Sequence, residues 1–252
     1  MAFSFRQTDI IELARQRGKV TVEGLARHFG VTLQTIRRDL TELAEAGALE
    51  RVHGGAMPPA RVSNIGYAER RALNAGAKDA IARRCAEAIP NGCSLFLNIG
   101  TSTEAVARAL LRHRKLLVIT NNLNIANILV ANPEAEILLA GGLLRRSDGG
   151  LTGALTSALI EQFKVDYAVI GCSALDRDGD LLDYDLQEVS VSQTILRQAR
   201  TACLVADASK FERSAPVRIA SLSEIDHFFT DRPPPPPLDT RCRDWGTGVV
   251  IA

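Results

Sequence analysis

Five short apolar runs alternate with longer stretches of helical period over residues 94–206: SLFLNI, LLVIT, EILLA, YAVIGC and ACLVA. Each run is apolar at successive positions, so a strand built from it needs cover on both faces. Strands that are joined through helices run parallel, and helices on both sides supply that cover. The intervening stretches, Ser102–Arg112, Leu123–Ala131, Ala154–Phe163 and Leu186–Ala199, have the length and period to be those helices. The expectation is α/β: a mainly parallel sheet sandwiched between helices. The run Pro233 to Pro237 stands outside the pattern and reads as a rigid polyproline segment.

Residues 1–57 follow a different plan. Arg6 to Gln16 carries Ile10, Leu13 and Ala14 on one face and is followed by Gly18. Thr21 is placed to cap a short helix, Val22 to Phe29, which Gly30 ends. Thr32 is placed to cap a third helix running to about Ala46. In that helix Ile36, Leu40 and Leu43 share one stripe, while Gln34, Thr35, Arg37, Arg38 and Thr41 lie off it. The tight GVT turn between the second and third helices is the layout of a helix-turn-helix, and ALERVHGGAM can form the ribbon of a winged helix. The Gly54-Gly55 pair would admit a phosphate close to backbone amides, or turn the chain sharply. A helix with a narrow apolar back and hydrogen-bonding groups in front suits a DNA major groove. The candidate contacts are Thr32, Gln34, Thr35, Arg37 and Arg38, with Arg51, His53 and Gly54 on the ribbon.

The expected boundaries are a DNA-binding domain at 1–57, a linker at 58–76 with helical character from Tyr67, and an α/β domain at 77–252 that senses an effector and makes oligomers. Charge gives no independent support for nucleic acid. The net charge is +1, and residues 1–57 hold eight Lys/Arg against seven Asp/Glu, so a DNA interface must depend on where charges sit. No apolar run approaches the roughly 18 residues of a spanning helix, and the first residues lack the pattern of an export signal. Five cysteines without CxxC spacing suit a reducing compartment. These features point to the cytoplasm and away from a membrane.

Ligands of parallel sheets gather at the carboxyl ends of the strands. The segment LNIGTSTEAV places Gly100, Thr101, Ser102 and Thr103 between a strand and a helix, where free amides and hydroxyls favour an anion. It is neither a Walker A loop nor a GxGxxG fingerprint, so no nucleotide cofactor is expected. In ITNNLNIA, Asn121 and Asn122 can serve a hydroxylated ligand; in LLAGGLLRR, Gly141 and Gly142 permit close approach and Arg145 or Arg146 could meet a phosphate. The acidic stretch DRDGDLLDYDLQE departs from EF-hand spacing and reads as a turn with capping carboxylates, and the four histidines are scattered, so no metal is expected. The strand ends together suggest a small phosphorylated polyol or sugar.

TIRRDLTELAEAGALERVHGGA resembles the helix-turn-helix and wing of the DeoR family of bacterial repressors. LNIGTSTEAVARALL, TNNLNIAN, LLAGGLLR, DGGLTGA, DGDLLDYDLQEV and VADASKF resemble its sensor domain. The resemblance implies a winged helix that binds a double-stranded operator as a homo-oligomer, a dimer or tetramer. It also implies a sensor similar to ribose-5-phosphate isomerases that releases DNA on binding a phosphorylated effector. EAIPNG, EAVARALL, TNNLNIAN and the proline run are most similar to members that answer to glycerol 3-phosphate. By motif, Gly100, Thr101, Ser102 and Thr103 would hold the phosphate with Lys210, and Asn98, Asn121, Gly141 and Gly142 would line the same pocket. The family usually has Asp where this chain has Asn98, and an amide cannot act as a general base. That departure stands against the alternative reading, a sugar-phosphate isomerase with an appended DNA-binding module, whose base would have to be Asp183, Asp185 or Glu188. No catalytic residue is expected.

Overall fold

The computed structural model describes residues 3–17, 20–52, 54–57 and 66–252, so the predicted stop Gly18 and the linker residues from Pro58 to Ile65 lie outside the described residues. The chain divides into two compact units, residues 1–61 and 62–252.

In the first unit, helices α1 (Phe5–Arg17), α2 (Val22–Phe29) and α3 (Leu33–Glu45) accompany strands β1 (Val20–Thr21), β2 (Glu50–Val52) and β3 (Gly55–Met57). Both predicted caps form: the Thr21 hydroxyl accepts from the Gly24 amide at 3.1 Å, and the Thr32 hydroxyl from the Thr35 amide at 3.2 Å. Ile10 and Ala14 of α1 and Ile36, Leu40 and Leu43 of α3 are fully buried, and with Val22 and Leu25 of α2 they tie the three helices together. The ribbon β2–β3 pairs antiparallel, and β1, too short to read from the sequence, adds a third strand on β3. This strand explains the Gly-Gly pair. Gly54 makes the turn at φ 77°, and a Cβ on Gly55 would run into the Val20 carbonyl. Gly55 is therefore required by strand packing, without reference to a phosphate.

The second unit begins with α4 (Tyr67–Ala72) and α5 (Ala75–Ala88). It continues through β4 (Ser94–Leu97), α6 (Thr101–Ala109), β5 (Leu116–Thr120), α7 (Leu123–Leu129), β6 (Ala135–Leu139), β7 (Leu143–Arg145), β8 (Gly150–Thr152), α8 (Ala154–Ile160) and β9 (Val165–Ile170). Then follow β10 (Ala174–Leu175), β11 (Asp180–Asp183), α9 (Leu186–Arg197), β12 (Ala199–Val205), β13 (Val217–Ser221), β14 (His227–Thr230), α10 (Pro236–Trp245) and β15 (Gly248–Ile251). Seven strands make one parallel sheet in the order β15-β14-β12-β9-β4-β5-β6. Successive residues of a strand enter opposite cores. Phe96, Ile170, Leu204 and Phe228 fill one; Leu95, Leu97, Val169, Val205 and Phe229 fill the other. Four of the five apolar runs are thus buried on both faces; the fifth forms the edge strand β6, where Glu136 and Leu139 are exposed.

From β4 the chain winds outward through β5 to β6, then crosses to β9 and winds the other way to β15. The strand order reverses between β4 and β9, and ligands of such sheets lie beyond the carboxyl ends of the strands at this reversal. The GTST segment occupies that place.

Two expectations change here. The residues from Tyr67 to Gly76, read as linker, belong to the second unit, with α4 packed on it through Tyr67 and Arg70. The proline run is not one extended rod: Pro236 and Pro237 open α10, where an amide would have no intrahelical partner.

Candidate functional site

On α3, Gln34, Arg37, Arg38 and Thr41 are exposed, opposite the buried stripe of Ile36, Leu40 and Leu43. With Thr32 and Thr35 they line an open concave face that Ser4 and the α1 residues Arg6 and Gln7 complete. Arg37 makes no side-chain ion pair among the described residues, whereas Arg38 Nε meets Glu42 at 2.9 Å. Thr32 spends its hydroxyl on capping and on Thr35 Oγ1 at 2.9 Å. Arg51 and Gly54 are exposed on the ribbon; His53 lies outside the described residues.

Sequence reading missed the brace behind this face. Arg6 Nε and Nη2 donate to Asp39 at 2.6 and 3.1 Å, and Gln7 donates to Glu42 at 2.7 Å, so α1 fixes the pitch of α3. The signal lay in the RRDL segment itself: Asp39 is buried, and a buried carboxylate needs a cation.

At the end of β4, Asn98 is buried and committed: its Nδ2 donates to Ser192 at 2.7 Å and its Oδ1 accepts from the Ile99 amide. Thr103 is also committed, its hydroxyl donating to the carbonyls of Asn98 and Gly100 at 2.7 and 2.8 Å. Its side chain holds the loop and leaves the anion-facing work to others. Ser102, 8 % exposed, has no hydrogen-bond partner among the described residues. The amides of Thr101, Ser102 and Thr103 precede the first turn's bond from Glu104 N–H to Gly100 O, and so face outward from the positive end of α6. At the end of β5, Asn121 donates to the Leu151 carbonyl at 3.1 Å while its buried Oδ1 lacks a partner.

Cations gather beside this loop. Lys210 follows Asp207, whose side chain caps the short turn Ala208–Glu212. Burial and the neighbouring Arg213 and Arg70 hold the Lys210 ammonium below its usual range, against the pull of Asp207 and Cys172. Lys78, unforeseen in the sequence reading, is 6 % exposed, and its ammonium donates to the Arg70 carbonyl, as the Thr101 hydroxyl does at 3.5 Å. It shares the stripe of Ile81, Ala82 and Cys85 on α5, and a lysine at a core position was the signal. Burial works to raise the Asp207 carboxyl, but the Ser209 hydrogen bond, the Lys210 charge and a bond from Asn74 at 2.8 Å hold it below the usual range.

Gly142 has a local explanation, whereas a Cβ at Gly141 would meet nothing. Gly142, at φ 144°, lies where a Cβ would meet Thr156 Oγ1 and approach the Thr152 carbonyl at 2.7 Å, and the Gly141 carbonyl accepts from Thr156 at 2.7 Å. Of the two arginines offered as alternative phosphate partners, Arg145 is committed elsewhere: it bonds Asp148 at 2.7 and 2.8 Å, Asp185 at 2.9 Å and Glu188 at 2.6 Å. Arg146 is exposed. Asp148, Asp185, Arg145 and Arg70 border an opening of about 510 Å³ that Tyr67 also lines. The three groups considered as bases are all engaged: Asp185 caps α9, Glu188 pairs with Arg145, and Asp183 accepts from the Tyr184 amide. Asp176 accepts from the amides of Asp178 and Asp180, the turn expected there.

Residues 6–61 match the DeoR-like helix-turn-helix domain, and residues 73–232 match the DeoR C-terminal sensor domain. The chain belongs to the DeoR family. The glycerol-3-phosphate regulon repressor of Escherichia coli is 48 % identical over 91 % of each chain, and that of Haemophilus influenzae is 47 % identical over 91 % of this chain and 90 % of its own. Among solved structures, ribose 5-phosphate isomerase A of Methanocaldococcus jannaschii is similar at a TM-score of 0.41 and 13 % identity over 55 % of each chain. With 47–48 % identity to these repressors over nine-tenths of its length, the chain is a DeoR-type transcriptional repressor, not an enzyme: α3 and the ribbon belong to its helix-turn-helix domain, and Lys78 and Lys210 to its sensor domain. No described helix is long and apolar enough to cross a membrane.

Proposed function

We propose that this repressor holds its operator through α3 and the β2–β3 ribbon and releases it when glycerol 3-phosphate binds beyond β4. The observation that carries the reading is the meeting of the Lys78 ammonium and the Thr101 hydroxyl at the Arg70 carbonyl, at the first turn of α6 and the reversal of strand order, with Lys210 and Arg213 acting on the Lys78 charge. A phosphate dianion answers that excess of cations and the free amides of the helix. Ser102 Oγ and Asn121 Oδ1, both without partners, suit the phosphate oxygens and a polyol hydroxyl respectively. The names of the two curated relatives supply the choice of glycerol 3-phosphate among phosphorylated polyols.

Release is a population shift: the effector binds more tightly to the conformation that binds DNA weakly, and by linkage DNA weakens the effector to the same degree. The chain acts in the cytoplasm as a homo-oligomer, which multiplies the contacts of a nearly neutral DNA-binding unit. Ser102→Ala combined with Lys210→Ala tests the effector site. Repression is expected to persist while the glycerol 3-phosphate needed for release rises at least tenfold; release at the wild-type concentration places the effector elsewhere.

A further inference from the structure

The Arg70 carbonyl lies in the last turn of α4, where helix carbonyls lack backbone partners. The chain turns away at Asn74, in the left-handed region at φ 54°, and two side chains from elsewhere take up the carbonyl. One is the Lys78 ammonium, the other the Thr101 hydroxyl at the start of α6. Both are also donors of the kind a phosphoryl group engages; Lys78 lies within the fields of Lys210 and Arg213, and Thr101 meets it at the Arg70 carbonyl. We infer that the Arg70 carbonyl and the effector's phosphoryl group compete for Lys78 and Thr101, so that effector binding frees the end of α4. The inference rests on the effector site proposed above.

The surroundings favour the exchange. Burial, with Lys210, Arg213 and Arg70 nearby, lowers the Lys78 pKa to about 8, and Asp207 opposes them. A carbonyl brings only a partial charge to this lysine, whereas a phosphoryl dianion brings a full counter-charge and bonds more strongly. Ser102, buried without a partner on the same turn of α6, offers a further donor. In sequence, segment 66–74 is the first described part of the second unit and follows residues 62–65. Tyr67 and Arg70 retain other holds, on Glu104 and Asp148, so α4 loosens at its C-terminal end first.

Hydrogen exchange of the full-length protein, followed by mass spectrometry, reads this directly. In the wild type, saturating glycerol 3-phosphate is expected to speed exchange of the amides following Arg70, in peptides covering 66–78, at least fivefold. Inorganic phosphate should do the same at higher concentration. Lys78→Met should show fast exchange there without ligand and bind glycerol 3-phosphate at least tenfold more weakly by calorimetry. Thr101→Val, a milder change, should shift both quantities in the same direction by a smaller factor. Wild-type binding heat with unchanged exchange in α4 overturns the competition and leaves the effector site standing. Wild-type affinity in both variants also overturns it. An absence of any binding heat with the wild type overturns the effector site and the inference together.

Discussion

The Tyr67 hydroxyl sits 3.0 Å from both carboxylate oxygens of Glu104 and accepts the Asn124 amide at 3.0 Å, tying α4 to α6 and α7 around a carboxylate that is 2 % exposed. Burial, before the Glu104 charge, pushes the phenol above its usual range, so it remains a donor at any working pH. Tyr67→Phe leaves the carboxylate one donor short. Bonds to charged groups contribute about 1.5–3 kcal/mol, so the sensor unit should lose about 2 kcal/mol in urea unfolding; an unchanged midpoint contradicts the tie.

Arg37 is exposed and makes no ion pair among the described residues, so its removal should spare the fold. Arg37→Ala is expected to weaken operator binding at least tenfold, in line with about 1–3 kcal/mol for a good base contact. Thermal unfolding should stay within about 0.5 kcal/mol of the wild type. Full affinity in this variant removes α3 from the interface.

Glu188 gives a pH signature. Burial, with the Asp183 charge beside it, lifts its pKa from the ordinary carboxylate range to about 7, although Arg145 pulls the other way. A carboxyl whose folded pKa is raised contributes stability that is complete below the unfolded pKa and lost as pH rises through the folded one. The difference in unfolding free energy between wild type and Glu188→Gln should therefore drift against the wild type from about pH 4.5 to just above 7, by at most about 3.5 kcal/mol. A difference independent of pH over this range contradicts the raised pKa.

Gly142→Ala separates packing from ligand binding. The added methyl would meet Thr156 and the Thr152 carbonyl on a backbone that L residues avoid. Urea unfolding without any ligand should show a loss of about 2 kcal/mol or more. A variant with wild-type stability and impaired effector binding would instead place this glycine in the pocket.

Periodicity carried most of the architecture. The apolar runs at 94–99, 116–120, 136–140, 167–172 and 202–206 became β4, β5, β6, β9 and β12: four are buried on both faces with few polar residues to obscure them, and β6, at the sheet edge, kept enough apolar residues to be read although it is partly exposed. The remaining sheet strands β14 and β15 were missed: HFFT and GVVI are short, and each is set among turn residues. The two threonine caps were legible because capping is local. Lys78 and Asp39 were not singled out, since each sits on an apolar helix stripe and its purpose appears only when a distant residue, Arg70 or Arg6, arrives beside it. Arg145 erred in the opposite sense. A strand-end arginine looks free for phosphate until Asp148, Asp185 and Glu188 fold around it, and two of those lie about 40 residues away in sequence.

The central claim is release of DNA by glycerol 3-phosphate. Fluorescence anisotropy of the full-length protein on DNA from its own upstream region, titrated with glycerol 3-phosphate and in parallel with sugar phosphates, tests it most directly. Tight, salt-sensitive binding that glycerol 3-phosphate reverses and the sugar phosphates leave intact is the predicted result. Specific binding that glycerol 3-phosphate cannot reverse at any concentration contradicts the account.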